Sequence, residues 1–70
     1  MFITIQDVII KKNEIVAIRK ADPMVEKKEI IYKITIYLRT FVGSINQFYF
    51  YCKNIDEQIK LFNRIQEELK

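Results

Sequence analysis

Twelve residues, Glu29 to Thr40 (EIIYKITIYLRT), repeat with a period of two. Ile30, Tyr32, Ile34, Ile36 and Leu38 share one parity, and Ile31, Lys33, Thr35, Tyr37 and Arg39 share the other. Successive side chains of a strand point to opposite faces, so this run reads as a half-buried strand with one apolar and one wet face. Everything else in the chain has to supply its partners and its cover.

Other segments fall into place around it. MFITI opens as a short strand. Val8, Ile9 and Ile10 extend it, and the KKN that follows reads as a turn. Ile15 to Ala21 (IVAIRKA) is rich in β-branched residues and reads as the second strand. Asp22 to Glu29 holds Asp-Pro and a cluster of charges, which predicts an exposed loop. FVGSI makes a hairpin loop, with Phe41 and Val42 as an apolar tip, and NQFYFYCK is the fourth strand. From Asn54 the period changes. Ile55, Ile59, Phe62, Ile65 and Leu69, with Leu61 on the flank, make an amphipathic helix that ends the chain. Asn54 is a good N-cap, Glu57 stands at the capping-box position, and Asp56 and Glu57 suit the positive first turn.

The expected architecture is α+β: a four-stranded antiparallel β-meander with one C-terminal α-helix packed on one face (ββββα), residues 1–70 forming one small domain. Phe48, Phe50 and Cys52 join Ile34, Ile36 and Leu38 beneath the helix, with Val16 and Ile18 from the second strand. A two-residue Gly43-Ser44 turn would pair Leu38 with Tyr49 and mix the apolar and tyrosine sets. A three-residue loop, Val42 to Ser44, pairs Leu38 with Phe48, Ile36 with Phe50 and Tyr37 with Tyr49, and the face pattern favours it.

Composition narrows the chemistry. Half of the 70 residues are apolar and 30% are charged, which favours folding over disorder. With one cysteine there is no internal disulfide, and with no histidine neither the commonest general base nor a usual metal ligand is present. A small fold without such staples gains stability by self-association. The net charge is +3, and the excess sits before Asn54: residues 1–53 carry nine Lys/Arg against five Asp/Glu. No basic and apolar leader is visible at the N-terminus, and the longest uncharged run, Thr40 to Cys52, is too short for a spanning helix. Cytoplasmic is the expected location, in keeping with a lone free thiol.

Catalysis has little to stand on. The lone serine, Ser44, sits in a turn without a base, Cys52 has the parity of the core, and one glycine cannot build a phosphate-cradling loop. No enzyme, cofactor or metal site is expected. The residues that stand out lie on the sheet face away from the helix: Arg19, Lys33, Thr35, Tyr37, Arg39, Gln47, Tyr49, Tyr51 and Lys53, with Ala17 and Ile31. Three readings fit them. Tyr, Thr, Lys and Arg suit any solvated sheet face. Tyr and Arg are also enriched where proteins bind one another. Exposed rings beside cations can stack bases of single-stranded nucleic acid.

The order of elements resembles several small bacterial or phage accessory proteins. It is similar in outline to the single-stranded DNA-binding coactivator fold and to a truncated pleckstrin-like sheet, with no shared motif, so it assigns no residue. The expected function is that of a non-enzymatic, self-associating binding protein, acting through Arg19, Lys33, Tyr37, Arg39, Tyr49, Tyr51 and Lys53 or through an edge strand. A phage or mobile-element accessory that blocks a host component is compatible with this. The alternative is a single-stranded nucleic-acid binder using the same face.

Overall fold

A computed structural model of the chain describes residues 1–43 and 45–70. Ser44 and the side chains of Phe41 and Val42, and with them the expected apolar hairpin tip, lie outside the described residues. The architecture is α+β, with antiparallel sheets and one C-terminal helix. Strands β1 (Phe2–Ile5), β2 (Val8–Lys11), β3 (Ile15–Lys20), β4 (Met24–Glu26), β5 (Glu29–Val42) and β6 (Ile45–Cys52) precede helix α1 (Ile55–Leu69). A single 3-10 turn at Lys12–Glu14 takes the place expected for the KKN turn.

The four-stranded meander is corrected. Among the described residues β1 and β2 pair only with each other, across Gln6-Asp7, and form a separate two-stranded sheet. The cause is local: two four-residue strands close on a two-residue turn, with Gln6 at φ 53°. The main sheet is built on β5. β3 pairs with residues 34–38 of β5 and β6 with residues 32–37, so they flank it on opposite edges. β4 lies in the segment expected to be a loop. It pairs with Glu29 to Ile31 and continues the line of β3 beyond the break at Asp22-Pro23. Proline has no N–H to donate, which is why the edge strand is interrupted there.

β4 turns back into β5 through Lys27-Lys28, with φ of 51° and 67°. Two left-handed central residues make a type I′ hairpin turn, which normally calls for Asn-Gly. Lysine in that region costs about 1 kcal/mol, so no turn signal of that type is present in the sequence.

The β5–β6 register departs from expectation while the faces survive. Val42 pairs with Ile45, so the connection is two residues and not the three from Val42 to Ser44. A register shift between Tyr37 and Val42 then absorbs extra residues on β5. Below it, Ile36 pairs with Phe48, Ile34 with Phe50 and Tyr32 with Cys52, while Thr35 pairs with Tyr49, Lys33 with Tyr51 and Tyr37 with Gln47. Apolar residues still meet apolar residues. The predicted pairs Leu38–Phe48, Ile36–Phe50 and Tyr37–Tyr49 are each displaced along the strand.

Ile34, Ile36, Leu38 and Phe50 of the sheet, Ile3, Ile5 and Ile10 of the N-terminal hairpin and Ile65 of α1 form the core. Helix and hairpin together therefore cover the apolar face. Phe48 packs on the core edge with its ring centroid 6.5 Å from that of Phe50. Ile18 packs inward as expected, but Val16 is exposed: a bulge between Ile15 and Ala17 turns it out and brings Ile15 in.

α1 starts as its sequence dictates. Asn54 Oδ1 accepts from the Glu57 N–H at 2.9 Å, and Glu57 Oε2 accepts from the Lys53 N–H at 3.0 Å. The buried stripe is rotated from the expected one. Ile55 and Ile59 are exposed, and Gln58 lies inside with Leu61, Phe62, Ile65 and Leu69 against the core. Gln58 Nε2 donates to the carbonyls of Ala21 and Lys33, each at 2.9 Å, and these bonds admit a polar residue to the interior. Arg64 stays exposed on α1 and still reaches the hairpin. Its guanidinium donates to the Thr4 carbonyl at 2.6 Å and lies 3.5 Å from Glu68, tying the helix to the hairpin.

Candidate functional site

β3, β5 and β6 bring five of the predicted residues onto one face in adjoining rows. Arg19, Thr35 and Tyr49 sit side by side, as do Ala17, Tyr37 and Gln47, and Lys33 stands beside Tyr51. The alternation of β5 and β6 sets this face opposite the one that buries Ile34, Ile36 and Phe50. Tyr49 and Tyr51 are 49% and 59% exposed, and Thr35 at the centre is buried. The neighbouring side chains thus cover the threonine and leave the two rings as the accessible surface.

Internal contacts order this surface. The Lys33 ammonium lies 4.6 Å from the Tyr49 ring centroid, a cation–π distance. The Tyr49 hydroxyl donates to Gln47 Oε1 at 2.7 Å. One ring is therefore held from both ends, with a cation against its π-system and an acceptor at its phenol. The arrangement presents phenols and cations for contact. It aligns no nucleophile with a base.

Arg39 and Lys53 do not join these rows. Arg39 lies on β5 beyond Tyr37–Gln47, inside the register shift. Lys53 follows the end of β6, where its backbone serves the helix cap.

Two clefts flank the core. One, about 320 Å³, is lined by Ile15 to Ile18 of β3 and by Gln66, Leu69 and Lys70. The other, about 340 Å³, opens between the β1–β2 turn, the end of β6 and α1, and includes Gln6, Tyr51, Cys52, Glu57 and Lys60. Partial burial, and then the Glu57 carboxylate, push the Cys52 thiol above its ordinary pKa. The group is therefore a thiol at neutral pH and a poor nucleophile. Among the described residues no group of three or more Cys, Asp or Glu is placed to hold a metal ion, and no helix is long and apolar enough to cross a membrane.

Sequence reasoning missed the direction of the β6 backbone. The Lys33 carbonyl accepts from the Ala21 N–H at 3.1 Å, so Lys33 directs its main-chain groups toward the β3 edge. In an antiparallel ladder a residue's N–H and C=O share a side, and hydrogen-bonded pairs alternate with non-bonded ones. Lys33–Tyr51 is then a non-bonded pair, and Tyr51 directs its groups away from β5. Gln6 Nε2 donates to that same Tyr51 carbonyl at 3.0 Å, as this orientation requires. Tyr49 and Gln47, two and four residues back, point the same way. Among the described residues no strand pairs with this side of β6. No protein-family model, curated protein or solved structure matches the chain.

Proposed function

We propose that the chain is a non-enzymatic binding protein that self-associates and works by contact through the open face of Arg19, Lys33, Tyr37, Tyr49 and Tyr51. The observation that carries this reading is the pair Tyr49 and Tyr51, two rings about half exposed on a face lined with cations. Large amphipathic rings held in place lose little freedom on binding, and for that reason tyrosine and arginine dominate protein contacts. A protein partner suits the reading, and so does an accessory role in which a small phage or mobile-element protein covers a host component.

Replacing both Tyr49 and Tyr51 by serine tests the face. Sedimentation equilibrium should show self-association weakened by about tenfold or more, with the urea midpoint close to that of the parent. Unchanged self-association would remove the face from the contact. An unfolded double variant would mean that the rings belong to the core.

Single-stranded nucleic acid is the second reading, favoured by the same rings and cations. The Lys33 ammonium against the Tyr49 ring weighs against it, because a stacking base has to displace that cation. An oligonucleotide titration at low salt should show no binding. Affinity that falls steeply as salt rises would establish phosphate contacts and this second reading.

A further inference from the structure

The seven residues from Asn46 to Cys52 contain no charge and no proline. Edge strands are ordinarily guarded by lysine, proline, bulges or cover, since a bare edge is a template for another strand. Among the described residues β6 carries a guard only at its end, where Gln6 takes the Tyr51 carbonyl. We propose that the β6 edge is completed by the same edge of a second copy, antiparallel, with the two-fold axis through Tyr49. The inference rests on the reading of the chain as self-associating and names the surface that does it.

The occupant follows from the edge's own symmetry. The outward-directed residues are Gln47, Tyr49 and Tyr51, evenly spaced and centred on Tyr49. Reversed, the set superposes on itself. Tyr49 then meets the partner's Tyr49, and Gln47 meets the partner's Tyr51 twice over. Each pair exchanges two main-chain bonds, for about six in all. The set is taken from Gln47 onward because β6 runs in unbroken register with β5 only from Gln47 to Cys52, Ile45 pairing with Val42 beyond the register shift, and this places the axis at Tyr49.

Side chains agree with that register. Directly opposed residues share a face, so tyrosines and glutamines meet on the open side and Phe48 meets the partner's Phe50 on the core side. Tyr51 opposite Gln47 places a phenol near an amide, the same chemistry that joins Tyr49 to Gln47 within the chain. No charge is buried. The Tyr51 carbonyl can keep Gln6 on one lone pair and accept from the partner on the other. The product is one continuous sheet with both helices on one side and both open faces joined on the other.

Cysteine cross-linking tests it directly. Tyr49→Cys on a Cys52→Ser background sets two thiols on the axis with Cα atoms about 5.5 Å apart, within disulfide range. Mild oxidation should convert most of the protein to a covalent dimer. Gln47→Cys on the same background leaves its thiols about 14 Å apart along the strands, and should stay monomeric on denaturing gels. Tyr49→Pro removes an N–H that faces the partner and no bond to β5, so it should keep its urea midpoint and weaken dimerisation by about tenfold or more.

A strict monomer at high concentration would overturn both this inference and the self-association reading. A dimer that does not cross-link through Tyr49→Cys, that cross-links equally through Gln47→Cys, or that tolerates Tyr49→Pro would overturn the β6 pairing alone.

Discussion

Replacing Gln58 by leucine is expected to destabilise the fold by about 1–2 kcal/mol, although leucine is at least as good a helix former. Gln58 is 1% exposed, and its amide reaches the carbonyls of Ala21 and Lys33. Ala21 ends the β3 line and Lys33 lies on β5, so one side chain fastens the first turn of α1 to two strands. Leucine gains a little apolar burial, about 1 kcal/mol or more on transfer scales. It also removes both donors from the carbonyls they serve. The Lys33 carbonyl keeps the Ala21 N–H, but the Ala21 carbonyl loses its donor. A part-buried acceptor left without a partner costs about 1–3 kcal/mol, which together with the bond lost at Lys33 outweighs the apolar gain. A urea denaturation series checks this: the midpoint should fall while the slope stays constant. A neutral or stabilised Gln58→Leu would show that water satisfies those carbonyls and that the amide is dispensable.

Gln58 also marks where the sequence stopped being legible. The helix, its cap and its length follow from Asn54, Glu57 and the change of period, and all are found. Periodicity places the buried stripe through Ile55 and Ile59 because it counts apolar residues and ignores a polar residue whose partners lie far along the chain. Faces of β5 and β6 were readable for the opposite reason. Alternation is a property of each strand alone, so Ile34 with Phe50 and Lys33 with Tyr51 keep their sides even when the register slides. The slide itself depends on how β5 absorbs extra residues between Tyr37 and Val42, and the sequence carries no mark of it. β4 was hidden by its charges and by a turn that puts two lysines in left-handed backbone. Of the site, Arg19, Lys33, Tyr37, Tyr49 and Tyr51 were readable from parity. Arg39 and Lys53 had the right parity and lost their places to the register shift and the helix cap. Which edge of β6 carries free main-chain groups required the hydrogen bonds of Lys33 and Tyr51.

The sequence places the N-terminal segment at the beginning of the meander, whereas the structure makes it a separate hairpin, and a pair of substitutions separates the two roles. Ile5→Ala is expected to cost about 3 kcal/mol, and Ile9→Ala less than about 0.5 kcal/mol. Both are isoleucines on four-residue strands of the same small sheet, so their β-propensity is alike. Ile5 is 0% exposed against the core, whereas Ile9 is 68% exposed on the outer face. A chain of this length has a total stability of about 4–10 kcal/mol, so the first change takes a large share of it. Among the described residues the hairpin makes no ladder bond to the main sheet. Its attachment comes from Ile3, Ile5 and Ile10, from Gln6 on Tyr51 and from Arg64 on Thr4. If the two alanine variants melt alike, the hairpin is an appendage that α1 and the main sheet can do without. If Ile5→Ala alone collapses the urea midpoint, the hairpin is half of the cover over the apolar face, and the open tyrosine face is left as the side of the main sheet that the chain's own layers do not cover.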